Sequence, residues 1–271
     1  MSMAEKRQRG RPRSFHGPDK TAPMQALDRA LAVLKLVSEG DGLSLTEAAE
    51  AAGLPPATTY RILTTLQSHG MVTFEETQQT WSVGVEAFRM GSNFLRRRRL
   101  PDHGRKVMQA LVAETGETAN LAVAEEDCVV FVSQVETHQP IRAFFRPGTR
   151  GPYHGSGIGK AILAASSDQA INRIISHGLE SFTQHTLTNP AALFADLETI
   201  RRRGYAIDDE ERNLGMRCVA AAIHNEYGEP IGGLSVSGPS VRVTRSAVSV
   251  LGPQVKAAAD QVTSEIGGSP G

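Results

Sequence analysis

The chain has 271 residues, 40% of them apolar, enough for two domains with cores of their own. Basic and acidic residues balance at 29 each, but unevenly: 14 against 10 up to position 100, then 15 against 19. Two cysteines give neither a disulfide framework nor zinc-ligand spacing, no apolar run approaches the ~20 residues of a membrane span, and the charged N-terminus is no secretory signal, so a reduced cytoplasmic protein whose basic end meets nucleic acid is expected.

Residues 1–23 carry no hydrophobic periodicity and are expected to be disordered. The run from Arg7 to Arg13 reads RQRGRPR, and its Arg-Gly-Arg-Pro core resembles an AT-hook. Arg9 and Arg11 would then lie in a narrow A·T minor groove, where negative potential is concentrated. The same run also reads as a solvated basic tail that adds nonspecific phosphate affinity.

From 24 to 84 the pattern is that of a winged helix-turn-helix. Leu27, Ala30, Leu31, Leu34 and Val37 follow helical spacing, which predicts a first helix packed behind the motif. Ser44 and Glu47 have capping-box spacing, Leu45, Ala48, Ala49 and Ala52 form one apolar face, and Gly53 stops the helix. Pro55 and Pro56 suit the opening turn of the next one. There Thr59, Ile62, Leu63 and Leu66 make the core stripe, and Ala57, Tyr60, Arg61, Thr64 and Ser68 face away from it. Thr58 stands at the N-terminal end, where base edges are met. The hydroxyls of Thr58, Tyr60 and Thr64 and the guanidinium of Arg61 suit phosphates and bases. Taken alone, this helix also reads as a solvated amphipathic one; the flanking helix and ribbon favour a DNA-reading helix. Residues 72–75 and 80–83 flank the polar segment 76–79 as a hairpin, the wing.

A helix over 85–95 runs into four arginines at 96–99, making 85–100 a helical linker. Four consecutive arginines span a whole turn and cannot all face one way, so a solvated helix end competes with phosphate contact. Beyond Pro101, strands are expected at 118–123, 129–135, 141–145, 205–208, 219–224 and 231–237, and helices at 105–115, 159–165, 168–176, 191–203 and 245–266. The elements show no regular βαβ alternation. The reading is therefore α+β: an antiparallel sheet with flanking helices over 101–266, then a flexible C-terminus at 267–271.

The run HGSGIGKA from His154 to Ala161 tempts other readings. A P-loop needs Gly at 154 and Ser or Thr at 161, a dinucleotide fingerprint needs Gly at 160, and a nucleophile elbow around Ser156 needs Gly at 154 and 158. None fits. What remains is a Gly-rich loop opening a helix, whose free N–H groups bind small anions. Cys128 and His154 read as structural.

The segments GLPPATTYRILTTLQSHG, WSVGVEAFRMGSNFL, TGETANLAV, HGSGIGKAILA, GYAIDDEERNLGMRCVAAAI and GGLSVSGP occur in this order and resemble the IclR family of bacterial transcription factors over residues 24–266. The resemblance implies a winged helix-turn-helix, a helical linker and a GAF-like effector domain. It also implies homodimers or homotetramers on palindromic operators, a small carboxylate effector, and no cofactor or metal. Where the family often has a Lys-Ser pair opening the recognition helix, this chain has Pro56 and Ala57, with fewer side-chain donors. The tail and recognition helix together look most like regulators of glyoxylate assimilation by the β-hydroxyaspartate route.

By that resemblance the effector pocket maps onto Gly157, Ile158, Asp208, Cys218, Ser235 and Ser237, with Met216 as an apolar wall. Ser235 and Ser237 alternate and so share one face of their strand. Loop N–H groups and serine hydroxyls would hold a carboxylate without any arginine. Asp208 would accept from a hydroxyl or hydrated aldehyde and repel a second carboxylate, favouring glyoxylate, with pyruvate or an aromatic acid as alternatives. Outside the family pattern, Cys218 reads as a core thiol, the serines as packing residues, and the Asp208 to Glu211 run as a solvated turn. Two other functions compete with a ligand-responsive regulator. One is a hydrolase using Cys218 or Ser156 with His154 or His224, for which no motif supplies an oriented base. The other is an architectural DNA binder whose larger domain serves only for assembly.

Overall fold

The computed structural model describes residues 24–98 and 100–269, with the backbone alone at 92–98. Arg9 and Arg11 lie outside the described residues, as do the side chains of the arginine run. The chain divides into two compact units, one ending at Ser92 and the other starting at Asn93.

In the first unit, α1 (Gln25–Glu39), α2 (Leu45–Ala52) and α3 (Pro56–Ser68) precede a ribbon of β1 (Val72–Glu75) and β2 (Thr80–Val83) and the start of α4 (Val85–Arg98). The capping box forms: Ser44 Oγ accepts from Glu47 N, and Ser44 N donates to a Glu47 carboxylate oxygen at 2.8 Å. Gly53 ends α2 at φ 62°, the left-handed conformation. Val33, Val37, Ala48, Leu63, Val72 and Trp81 form the core. Leu43 and Trp81 exchange backbone hydrogen bonds of 3.0 and 2.7 Å, tying the wing to the start of the motif. The expectation for α1 holds in part: Val37 is buried and Leu34 packs against the core, but Leu27 and Leu31 are exposed and Val33 is buried in their stead. The apolar spacing in α1 is broad enough to offer two faces, and the motif covers only one.

The second unit is built on a six-stranded antiparallel sheet in the order β5-β4-β3-β8-β7-β6. Its strands are β3 (Thr118–Ala124), β4 (Val129–Val135), β5 (Arg150–Gly151), β6 (Ala206–Asp209), β7 (Met216–His224) and β8 (Pro230–Pro239). Helices α5 (Leu100–Thr115) and α9 (Arg245–Glu265) cover one face, through Leu121, Val219, Leu234 and Val236. Helices α6 (Gly157–Ala164), α7 (Asp168–Ser176) and α8 (Pro190–Arg203) cover the other, through Ala122, Phe131, Ala206 and Ala220. Burial on both faces explains why β8 reads as almost continuously buried.

No strand forms at 141–145. The free edge of β4 is paired further on: Phe131 N donates to Thr149 O at 2.9 Å, and Gly148 N to Phe131 O at 2.7 Å. The apolar run instead lies across the sheet end. Phe145 stacks on Phe131 at 4.6 Å, and Arg242 donates to the Ile141 carbonyl at 2.8 Å. Tertiary packing overrides the β-propensity of that run.

Candidate functional site

Two surfaces carry the residues singled out by the sequence. On α3, Thr59 and Leu63 are buried, and Tyr60 and Arg61 are exposed. Thr58 and Thr64 are half-buried. The Thr64 hydroxyl donates back to the Tyr60 carbonyl at 2.9 Å, leaving its lone pairs, not its proton, for a partner. Of the four residues singled out, Thr58, Tyr60 and Arg61 thus keep donors for a partner.

The second surface is a cavity of about 510 Å³ in the larger unit. Gly157, Ile158, Asp208, Met216, Cys218, Ser235 and Ser237 all line it. The register explains the convergence: Cys218 pairs with Ser237 across β7–β8, and Asp208 with Cys218 across β6–β7. Helix α6 opens above them. Ser156 caps it, accepting from Gly159 N at 3.2 Å and donating to Pro152 O at 2.7 Å. The N–H groups of Gly157 and Ile158 have no acceptor among the described residues, as first-turn donors of a helix do not. Gly157 lets the helix approach the sheet: a Cβ there would sit 2.8 Å from Cys218 Sγ. Phe131, Phe144 and Phe145 form the apolar wall opposite.

Arginines also reach this cavity. Arg142, Arg150, Arg212 and Arg217 line it. Three are answered by acids: Arg142 by Glu136, Arg150 by Asp127 at 2.8 Å, and Arg217 by Asp209 at 2.7 Å. Arg212 stacks over the Phe182 ring at 4.0 Å and forms no ion pair among the described residues. Spacing alone did not show these contacts because the arginines arrive from loops and strand ends.

The acidic run from Asp208 to Glu211, which closes β6 and opens the following turn, is not a solvated turn. Asp208 and Glu211 are buried. Asp208 Oδ1 accepts from the backbone of Glu211 at 2.8 Å and of Arg212 at 3.3 Å, so it shapes the loop. Burial pushes Asp208 up to about 6, against the pull of those N–H groups and of Lys160. Below it, fully buried Lys160 bridges Asp196 at 2.8 Å and Glu211 at 2.6 Å. Burial alone would lower Lys160, but the two carboxylates outweigh it and raise it. One ammonium shared between two carboxylates does not offset burial, which pushes Glu211 up to about 7. Glu211 Oε2 has no hydrogen-bond partner among the described residues. The sequence signal for this cluster was a single lysine in the otherwise apolar helix GIGKAILA.

Burial raises the Cys218 thiol to about 11, so it is protonated at neutral pH. Ser156 Oγ is committed to capping, and His154 Nε2 to the Glu180 carbonyl at 2.8 Å. No oriented nucleophile–base pair results. Among the described residues, no cluster of His, Cys, Asp and Glu could hold a metal, and no helix is long and apolar enough to cross a membrane.

Two family models match: the IclR helix-turn-helix domain at residues 26–76 and the bacterial transcriptional regulator IclR C-terminal domain at 93–264. The HTH-type transcriptional regulator BhcR of Paracoccus denitrificans is 46% identical over 261 residues, 95% of this chain and 94% of that protein. Transcriptional repressor IclR of Escherichia coli is 39% identical, covering 96% of each. Among solved structures, an IclR homologue from Microbacterium hydrocarbonoxydans in complex with 4-hydroxybenzoate shares the fold, with TM-score 0.79 and 23% identity over 90% of this chain and all of that one.

Proposed function

The chain belongs to the IclR family of DNA-binding transcriptional regulators, and from that premise we propose that a small monocarboxylate, glyoxylate before others, binds the 510 Å³ cavity and alters operator affinity. It is a regulator and not an enzyme, as its relatives are. One observation carries the effector reading. The N–H groups of Gly157 and Ile158, without acceptors among the described residues, line the same cavity as the hydroxyls of Ser235 and Ser237. Neutral donors at a helix start meet a carboxylate well. Asp208 opposes a second negative charge nearby, and Cys218 and Met216 complete the pocket.

The cavity also supports a second reading. Its size and its phenylalanine wall suit an aromatic acid such as 4-hydroxybenzoate. Pyruvate is the third candidate.

In this proposal residues 24–84 read DNA through Thr58, Tyr60, Arg61 and Thr64, and Arg9 and Arg11 add minor-groove or phosphate contact. Residues 85–100 link them to the effector domain at 101–266. The protein acts in the cytoplasm as a homodimer or homotetramer on a palindromic operator, controlling genes of glyoxylate, glycolate or related acid metabolism. The effector works through its differential affinity for two arrangements of the oligomer.

Fluorescence anisotropy with DNA from upstream of its own gene, at fixed salt, tests this. A change in affinity with millimolar glyoxylate, lost in Ser237→Ala, supports the reading. A response only to 4-hydroxybenzoate selects the aromatic alternative. Tight specific binding untouched by any of the acids would sink the effector assignment.

A further inference from the structure

Asn120 is fully buried in the middle of β3, directly across from Ser235 and diagonal to Ser237. Its Oδ1 accepts from Gln134 Nε2 at 2.7 Å. Its Nδ2 points the other way, 3.2 Å from Ser237 Oγ and 3.4 Å from Ser235 Oγ. An amide nitrogen can only donate, so each serine oxygen receives a hydrogen on one lone pair. The hydroxyl protons must then go elsewhere. The protein group they meet is the Cys218 thiol, a weak acceptor, so the cavity is the better destination.

We propose that Gln134 and Asn120 form an amide relay that fixes Ser235 and Ser237 as hydrogen-bond donors towards the cavity, so that the site selects a carboxylate over the corresponding neutral amide. This rests on the carboxylate reading above and deepens it. With the Gly157 and Ile158 N–H groups, four donors then serve the carboxylate end of the ligand. Both oxygens of a carboxylate are satisfied there. The NH2 of a primary amide would face another donor, and a buried polar group left unpaired is strongly rejected. Asn120 does not line the cavity; it is a positioning residue acting through the serines.

The polarity can be reversed at a distance. Gln134 is half-buried at the far end of the relay. In Gln134→Glu the new carboxylate can only accept. The Asn120 amide therefore turns over to donate to it, its Oδ1 faces the serines, and they present lone pairs to the cavity. Calorimetry would compare the acid that wild-type protein binds, among glyoxylate, pyruvate and 4-hydroxybenzoate, with its primary amide. Operator binding and circular dichroism control for folding. Expected in Gln134→Glu is acid affinity lower by about tenfold or more and amide affinity higher than in wild type. In the uncharged Asn120→Leu the discrimination should collapse without reversing, which decides the matter if Gln134→Glu does not fold. Acid and amide weakening together, the acid weakening with the amide unchanged, or no change in either would overturn the relay. If wild-type protein binds none of the three acids, the effector reading falls and the relay with it.

Discussion

Replacing Lys160 with methionine tests the buried charge cluster under the cavity. Methionine keeps an unbranched side chain, one atom shorter, and removes its charge. Lys160 is 1% exposed and is shared by Asp196 and Glu211, and one oxygen of Glu211 already lacks a partner among the described residues. Breaking a buried ion pair by removing one partner costs about 3–5 kcal/mol. For a domain of this size each kcal/mol moves Tm by roughly 2–4 °C, so the effector-domain transition should fall by roughly 6–20 °C at pH 8. The deficit has a definite pH dependence. Without the ammonium the folded pKa of Glu211, already raised by burial, rises further. Its contribution is then intact below the unfolded carboxylate range and is lost as pH rises through the folded value. Differential scanning calorimetry at pH 5 and pH 8 should show the smaller deficit at pH 5. A fall under about 2 °C at pH 8, or a deficit that ignores pH, would refute the claim that Lys160 compensates these acids.

Glu211→Gln isolates one of them. Burial raises Glu211 from 4.5 to about 7, so the wild type loses about 3 kcal/mol relative to the glutamine variant as pH climbs through that window. The variant's Tm advantage should grow between pH 4.5 and 8, and a flat difference would contradict the raised value. Gly157→Ala puts a Cβ 2.8 Å from Cys218 Sγ, an overpacking cost of about 1–3 kcal/mol that lifts the α6 N-terminus off the sheet. Effector affinity should drop with operator affinity kept, and Cys218→Ala in the same chain should restore part of it; unchanged effector affinity in calorimetry would remove the N–H groups from the site. Arg61→Ala should weaken operator binding and lower the salt slope by about 1, and an unaltered slope would argue against phosphate contact by this side chain. Oxalate should bind more weakly than glyoxylate, because two like charges about 5 Å apart repel by roughly 3 kcal/mol at an effective dielectric of 20, and Asp208 supplies one of them. Equal affinity would mean that Arg212, which no acid answers among the described residues, decides the local field.

The sequence revealed most where the interaction is local. The capping pair Ser44 and Glu47 and the stop at Gly53 depend on residues within one or two helical turns, and each forms as expected. The alternation of Ser235 with Ser237 needs only the two-residue period of a strand. The residues carried over by family resemblance also come together around one cavity, because they sit on adjacent strands and the helix start above them. What escaped reading is non-local or depends on which neighbour arrives first. Lys160 finds its acids 36 and 51 positions away, so the apolar helix around it flags its burial but not its partners. The four acids from Asp208 to Glu211 look alike in sequence. The strand turns Asp208 inward and aims Asp209 at Arg217, while Glu211 reaches Lys160. The run at 141–145 has the composition of a strand, but Gly148 and Thr149 take the hydrogen bonds of Phe131 first. The Gln134 and Asn120 relay belongs with these: two amides on neighbouring strands are ordinary by composition. Their chemistry appears only once register places Asn120 opposite Ser235 and makes one residue's donor the next residue's constraint.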